Sequence, residues 1–556
     1  MHHPAARLSA CLVLLLAIPR ATDAQAPADP VTRQVDSLFS HYARTDAPGL
    51  AVAVVRDGRI VLARGYGLAD LEHRIPITPS TVFDVASVSK QFAGLAIAML
   101  VEQGKVRLED DVRRYIPELP ELERPITINH LVHHTSGLRD WPGTLAVAGW
   151  RFDDVISFDQ ILRMARHQRS LNFVPGAEYT YSNTGYNLLT EVVQRVTGQP
   201  FRQWTDAQFF TPLAMRRTVF RDDHTMVIPD RASGYARAAD GSWRATTNNL
   251  TALGSSSMMS TVEDLARWVI NFDSARVAGA SALAMARTRG VLNDGRTIPY
   301  AFGLSHGEYR GVPTVGHSGS WASFATYVVH FPAQRAGVVV LANTPTVNAS
   351  RAAFQVADIV LGAALGPAAE PAGAPAKPMQ LTAAVLDPLA GTYRLGPGWY
   401  VNIRREGTGL TAQASNEGRV LMVAASASEF WVAAYNASMT FVRDEAGKAT
   451  SLTFRGTTSP RMPDIEPPAA PLTDYTGEYF SEELDATYRA HVRNDSLVLE
   501  HRRHGTIPLT RRWDEDFGAA WPLRSVAFRR DGAGRVTGFV VNVDERSRDI
   551  VFAKVR

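Results

Sequence analysis

Ser87-Val88-Ser89-Lys90 places a hydroxyl nucleophile and an amine base three residues apart. On a helix, residues i and i+3 share one face, so Ser87 Oγ and Lys90 Nζ can converge through local structure alone. The apolar positions that follow (Phe92, Leu95, Ala96, Met99, Leu100) repeat at helical spacing and end at Gly104. This predicts a buried helix with Ser87 in its first turn. Unpaired N–H groups and the positive end of the helix dipole favour a developing anion there. The cations of this chain are overwhelmingly arginine; its only lysines are Lys90, Lys105, Lys377, Lys448 and Lys554. Arginine keeps its proton near neutral pH, whereas a desolvated lysine can release it and act as a base. Ser-x-x-Lys alone is a loose pattern, and the chemistry needs partners.

Two further stations supply them. Tyr181-Ser182-Asn183 follows a Pro175-Gly176 turn and precedes an amphipathic helical stretch over 187–196. A tyrosine near a cationic lysine can have a lowered pKa and relay protons to and from the serine. An asparagine amide can orient the lysine or a substrate carbonyl. Further on, Gly316-His317-Ser318-Gly319-Ser320 begins a strand region at 321–329. Its small residues let backbone pass close to a bound substrate, and one of its N–H groups can complete an oxyanion hole with that of Ser87.

Together these stations resemble the serine β-lactamase and penicillin-binding protein superfamily, whose signatures are Ser-x-x-Lys, Tyr-x-Asn and a Lys/His-x-Gly strand. The resemblance covers roughly residues 30–365, and Leu131-Val132-His133-His134-Thr135-Ser136-Gly137-Leu138 is similar to the segment after the nucleophile helix in the class C branch. It implies Ser87 as the acylated nucleophile and Lys90 as its proton acceptor or electrostatic partner. Tyr181 is then the general base, and the acid toward the leaving group. Asn183, His317, Ser318 and Gly319 bind substrate, and the N–H groups of Ser87 and Ser320 form the oxyanion hole. Class C β-lactamases carry lysine in the third motif; His317 instead resembles the D-alanyl-D-alanine peptidases, D-aminopeptidases and esterases of that branch. A histidine is neutral or partly charged near pH 7 and grips a carboxylate less firmly than lysine. Peptidase or esterase activity therefore ranks above efficient antibiotic hydrolysis. Gly254-Ser255-Ser256-Ser257-Met258-Met259 also departs from relatives, which often carry more glycine there.

The elements that must position these residues follow from composition and pattern. A chain of 556 residues exceeds what one core usually supports, so two or three domains are expected. The apolar fraction of 45% and charged fraction of 20% are those of a soluble globular protein. The net charge of +3 comes without any block of like charge, which gives nucleic-acid binding no electrostatic support. Residues 1–24 read as a secretory signal: Arg7, the apolar run Ala10 to Ile18, Pro19, and a small-residue exit at Thr22-Asp23-Ala24. Cleavage near Ala24 predicts a secreted or periplasmic protein. The run is too short to span a bilayer and none later suffices, so no transmembrane anchor is expected. The only cysteine, Cys11, lies inside this signal. Leu8-Ser9-Ala10-Cys11 looks like a lipoprotein box but precedes the apolar stretch it should follow. A mature chain without thiols has no disulfide, cysteine nucleophile or zinc-thiolate site.

Proline-rich linkers at 366–380 and 460–471 divide the rest into a hydrolase-like domain, 30–365, and two smaller segments, 381–459 and 472–556. In the large domain, Ala51-Val55, Asp57-Gly58 and Arg59-Ala63 read as a hairpin. Strands at Tyr327-Phe331 and Val338-Leu341 precede a helical run from Ala352 to Ala364. A helix over Ser260-Phe272 carries the capping-box pattern Ser260-Thr261-Val262-Glu263. The fold class is α+β: an antiparallel sheet built from both ends of the domain, a helical region beside it, then two all-β barrel-like repeats. The repeats align Gly391-Thr392-Tyr393 with Gly477-Glu478-Tyr479, and Phe441-Val442-Arg443-Asp444 with Phe528-Arg529-Arg530-Asp531. Whether each closes its own barrel is not readable at this level.

Other signals carry less. His133 and His134 are adjacent, so they point apart on regular structure and lack a third metal ligand at useful spacing; support of the cleft loop is expected instead. Ser320 stands where a nucleophile elbow needs glycine, so the α/β-hydrolase reading fails. The acceptor patterns at Asn249, Asn348, Asn436 and Asn494 are short and common by chance. Trp399, Tyr400, Trp431 and Trp521 are expected in the barrel cores. The expectation is an exported serine hydrolase, without metal or cofactor, working through an acyl-enzyme. Its substrate is a small molecule or peptide: D-amino-acid peptides or small esters, with peptidoglycan-derived fragments in range. The alternatives are a class C-like β-lactamase, and a sensor that binds peptidoglycan fragments without turnover. A pure binder has no use for Ser87, Lys90 and Tyr181 together.

Overall fold

The computed structural model describes residues 29–555, apart from 368–377, 397–398, 416, 436, 464–469 and 513–514. The signal-like segment 1–24 with its cysteine, parts of both linkers and the acceptor Asn436 thus lie outside the described residues.

A six-stranded antiparallel sheet organises the first domain. In chain order its strands are β1 (Leu50–Arg56), β2 (Arg59–Tyr66), β3 (Ser305–Tyr309), β4 (Val312–Trp321), β5 (Phe324–Phe331) and β6 (Ala336–Ala342). They lie side by side as β3-β4-β5-β6-β1-β2, so the two ends of the domain meet where Leu50 pairs with Ala342. Central β1 is buried on both faces, which is why it reads as a continuous apolar run. Its Leu50, Val52 and Val54 join one core with helices α1 (Pro30–Leu38) and α5 (Ala349–Leu361). Ala51, Ala53 and Val55 join the other, with α2 (Lys90–Glu102) and α4 (Val262–Ser274). Asp57 and Gly58 turn β1 into β2 with φ of 48° and 74°, as the Asp-Gly pair favours.

Three boundaries differ from the sequence expectation. The strand expected over 321–329 is two strands, because Ala322 and Ser323, with φ of 44° and 68°, make a tight hairpin between β4 and β5. The His317 station therefore lies inside β4, where its glycines and serines hide the strand pattern. Helix α3 spans Asn183–Thr197 and begins well before 187, because Ser182 caps it by accepting from Gly185 N–H. For α4 the cap is Thr261, not Ser260: Thr261 Oγ1 accepts from Asp264 N–H at 3.1 Å, and Ser260 Oγ is taken by Thr218 Oγ1 at 2.8 Å.

Two eight-stranded antiparallel sheets follow, from Gly391 to Pro460 and from Gly477 to Lys554. The second is a closed barrel; the first brings its ends together at a Tyr393–Arg461 bridge. The repeat is structural as well as textual. Tyr393 and Tyr479 each donate to the carbonyl four residues upstream at 2.6 Å. A bulge falls at Arg443 in one copy and at Arg530 in the other. Tyr400 and Trp431 are buried as expected, but Trp399 and Trp521 are 37% and 40% exposed. The second barrel is already filled by Tyr475, Tyr479, Tyr488, Phe528 and Phe539 among others, and Trp521 lies outside it.

The second barrel is bolted to the hydrolase domain beside α3. Arg139, with no exposed side-chain surface, pairs with Glu483 at 2.8 Å and donates to the carbonyls of Ser170, Arg548 and Asp549. Tyr488 Oη donates to Val147 O at 2.8 Å, and His504 Nε2 lies 2.7 Å from Ala146 O. These contacts bring the loop 543–549 over the mouth of the first domain.

Candidate active site

Ser87 lies in a short 3₁₀ turn, Ala86–Ser89, that leads into α2; the helix proper starts at Lys90. The local spacing still holds, with Lys90 Nζ 3.2 Å from Ser87 Oγ. The residue before the serine, Ala86, is buried with φ of 47°, a conformation that residues with a Cβ rarely adopt. Its N–H is held by Asp84 Oδ1 at 2.7 Å, and Asn248 in turn holds the other carboxylate oxygen. The strained turn is thereby locked with the hydroxyl aimed into the cleft.

Lys90 is completely buried, and burial, helped by the charge of Arg546 and opposed by Asp140, pulls its pKa well below the ordinary lysine value. Besides Ser87 it contacts two pure acceptors, Asn183 Oδ1 and Ser255 O, both at 2.7 Å. A neutral amine has two N–H groups for these acceptors and one lone pair left for the serine O–H. The Asn183 side chain bridges onward, since its Nδ2 and its backbone N–H donate to Asp140 at 2.9 and 2.7 Å. Asn183, expected to bind substrate, thus spends its amide on Lys90 and Asp140 while still lining the cleft. Burial raises the Asp140 pKa to about 6, against the opposing charge of Arg546.

Tyr181 stacks over this centre, its ring centroid 4.8 Å from Lys90 Nζ. Its hydroxyl is buried without a well-formed hydrogen bond among the described residues, yet close enough to Ser87 for the serine to favour its ionised form. Burial outweighs that, and the phenol is pushed well above its ordinary pKa. The lowered pKa expected for Tyr181 is therefore reversed: desolvation disfavours the phenolate more than its neighbours help it. His134 packs against the same ring at 4.2 Å and accepts from Ser182 N–H at 3.1 Å, so it buttresses the cleft loop.

The third station forms the opposite wall. His317 Nδ1 is 2.6 Å from Ser318 O and can only donate there, which leaves Nε2 to accept from Tyr300 Oη at 2.9 Å. Both nitrogens of a neutral ring are thus satisfied inside the protein. Burial, with a smaller push from Lys90, takes its pKa down to about 3. Because the folded value lies below the ordinary 6.5, His317 adds stability above pH 6.5 and loses it as pH falls toward 3. Acid denaturation of wild type is expected to steepen across that window. A His317→Gln variant, followed by circular dichroism at each pH, is expected to show a flatter profile.

Gly319 packs directly on the serine turn: a Cβ there would lie 2.3 Å from Val85 O and 3.1 Å from Ser87 N. Backbone cannot yield cheaply, so Gly319→Ala is expected to push Ser87 away from β4. A displacement near 1 Å lowers kcat by about 100-fold, with melting temperature changed far less than activity. Pairing of β4 with β3 stops at Gly316, and residues 317–321 have no strand on that edge among the described residues. Ser318, Gly319 and Ser320 therefore present a strand edge to a cleft of about 710 Å³ that also holds Ser87, Tyr181 and Asn183. The second barrel contributes Glu545 and Arg546 to the same cleft. The Arg546 guanidinium lies 3.9 Å from Asp140, 3.5 Å from Glu545 and 5.3 Å from the Tyr181 ring centroid.

Asp140, Ser255 O, Tyr300 and Arg546 escape a reading of the sequence. Asp140 follows the His133-His134 segment without a motif of its own, and Arg546 is one arginine among many, placed by a barrel hairpin. Only the adjacency of Asp140 to a segment already tied to the family could have singled it out.

A sheet assembled from both domain ends, with a Ser–Lys pair at the head of its central helix, defines a serine hydrolase of the β-lactamase and transpeptidase type. The Beta-lactamase family model matches residues 35–361, and the chain belongs to that family. It is 30% identical over 348 residues to a D-aminopeptidase of Gluconobacter oxydans, a match covering 62% of this chain and 64% of that one. A D-aminopeptidase of Brucella melitensis is 26% identical over 516 residues, covering 89% and 93% respectively. The chain thus spans just under two thirds of the first of these relatives and nearly all of the second. Among solved structures, the octameric penicillin-binding protein homologue from Pyrococcus abyssi shares the fold with a TM-score of 0.57 at 20% identity, over 85% of this chain and 98% of that one. The D-amino acid amidase from Ochrobactrum anthropi does so with a TM-score of 0.52 at 21% identity, over 60% and 99%.

Proposed function

We propose that the protein hydrolyses amides and esters of D-amino acids, short D-amino-acid peptides included, through an acyl-enzyme on Ser87. The observation that carries this is the triple contact of Lys90 Nζ with Ser87 Oγ, Asn183 Oδ1 and Ser255 O. Lys90, whose pKa burial pulls down, takes the serine proton in its unprotonated form as Oγ attacks the carbonyl carbon. The carbonyl oxygen becomes the oxyanion, received by the N–H groups of Ser87 and Ser320. Tyr181, kept protonated by its surroundings, is suited to pass a proton to the departing amine or alkoxide. Water then repeats the sequence on the acyl-serine.

The substrate class is supported by the D-aminopeptidase relatives, including one aligned across nearly the whole chain. It is supported also by His317, whose committed neutral ring offers no cation to a carboxylate from the third motif. D-Amino-acid peptides of cell-wall origin fit this chemistry. The signal-like residues 1–24 favour export to the periplasm or beyond, and no helix among the described residues is long and apolar enough to cross a membrane.

The reading is tested by intact mass after exposure to a fluorophosphonate, with turnover of D-alanyl-p-nitroanilide, p-nitrophenyl acetate and a chromogenic cephalosporin alongside. The expected outcome is a single adduct on wild type and none on Ser87→Ala, with the anilide and ester turned over faster than the cephalosporin. No adduct, or an equal one on Ser87→Ala, overturns it.

A further inference from the structure

A second cavity of about 640 Å³ adjoins the catalytic cleft, and Ser320 and Trp321 line both. Its walls come from two domains: Trp150 and Phe152 from the hydrolase loop, His504 and Trp521 from the second barrel. The rings form a continuous path. Trp141, in the catalytic cleft, is 5.6 Å from Trp321; Trp321 is 5.5 Å from Phe152, and Phe152 is 5.7 Å from Trp521. All three contacts have tilted or edge-on geometry, and the Arg524 guanidinium lies over the Trp521 ring, 5.1 Å from its centroid.

Two of these rings are unusually accessible for their size, Phe152 at 44% and Trp521 at 40%. The charges of the hydrolase loop at the rim are paired: Arg151 with Asp153 at 2.9 Å, and Asp154 with Arg503 of the barrel at 2.8 Å. The Arg503–Asp154 pair, with His504 against Ala146 O, also clamps the hydrolase loop to the barrel and fixes the walls. A cavity walled by aromatic rings, with paired charges on its loop side and a guanidinium stacked on Trp521, favours a planar aromatic group that can join the stack.

We infer that this cavity is a specificity subsite for an aromatic group carried by the substrate, on the side of the scissile bond that runs past Ser320. The exposed edge of β4 supplies the route. A substrate lying along residues 317–321 advances about 3.3 Å per residue, so a group one or two units from the reacting carbonyl passes Trp321 and enters the cavity. Both walls are needed, which gives the second barrel a direct part in selecting substrate. The inference rests on the acyl-enzyme reading above and adds the chemistry of a second substrate group.

The experiment compares kcat/KM within two matched series: methyl esters whose acyl chain ends in a naphthyl or an isobutyl group, and D-alanyl amides whose amine carries the same two groups. Burial of one aromatic ring predicts a naphthyl preference of about 10- to 100-fold in one of the series for wild type. Trp521→Ala and Phe152→Ala are each expected to bring that ratio within about threefold. Trp399→Ala, an exposed tryptophan of the first barrel, retains it. Phe152 is an exposed loop residue, so its variant keeps the test decisive if Trp521→Ala fails to fold. Turnover without a naphthyl preference in either series, or a preference that survives both substitutions, overturns the subsite alone. Absence of turnover together with absence of a fluorophosphonate adduct on Ser87 overturns the hydrolase reading and the subsite with it.

Discussion

Lys90→Arg is expected to lower kcat/KM by about 10²- to 10⁴-fold, the range for loss of a positioned general base. Arginine is similar in length but carries a positive charge that it does not release at any pH the protein survives. If Lys90 served only as a fixed cation, the substitution would be mild; a loss of less than tenfold would rule out its role as proton acceptor. The wild-type pH profile offers the companion measurement. With Lys90 as the proposed proton acceptor, kcat/KM is expected to rise with pH and level off below the ordinary lysine pKa of 10.5. An inflection near that ordinary value would mean that burial does not hold the amine neutral. Initial rates on p-nitrophenyl acetate at saturating buffer capacity suffice for both.

Glu483→Ala is expected to cost about 3–5 kcal/mol of stability at the domain junction, because it leaves the Arg139 guanidinium buried without its counter-charge. The loss falls on function as well. Arg139 adjoins Asp140, and Asp140 N–H donates to Arg546 O while its carboxylate holds Asn183. A barrel that loosens at Glu483 therefore disturbs the bridge from Asp140 through Asn183 to Lys90. A thermal scan should show an earlier transition, with activity lost at that transition and not at the unfolding of the sheet. Replacing the pair together, Arg139→Met with Glu483→Leu, is expected to recover most of the stability, since a packed apolar pair carries no desolvation penalty. A Glu483→Ala protein with unchanged melting and activity would mean that the junction is carried by other contacts.

Much of the site was legible because its parts are local. Ser87 and Lys90 meet through three residues of chain, and 3₁₀ geometry at the turn served as well as the expected α-helix. Asn183 was recognisable from its motif, but its use was not. Its amide could serve lysine or substrate, and the carboxylate that decides the matter belongs to Asp140, some forty residues away. Tyr181 shows the reverse: a neighbouring lysine implied a lowered phenol pKa, and only the depth of burial around it shows the opposite shift. The station at His317 lay on a strand that its own glycines and serines concealed, since alternation is a weak signal when half the positions are small.

Residue types and their order along the chain determined the Ser87–Lys90 pair, the antiparallel sheet from both domain ends and the doubled β segment, because short-range spacing and periodicity carry that information. Tertiary structure alone decided how the second barrel is used. Its hairpin delivers Arg546 beside Asp140, and its Trp521 faces Phe152 across the domain boundary. Contacts between residues several hundred positions apart leave no periodic trace, so the shape of the cleft and the charge around Lys90 appear only when the domains are assembled.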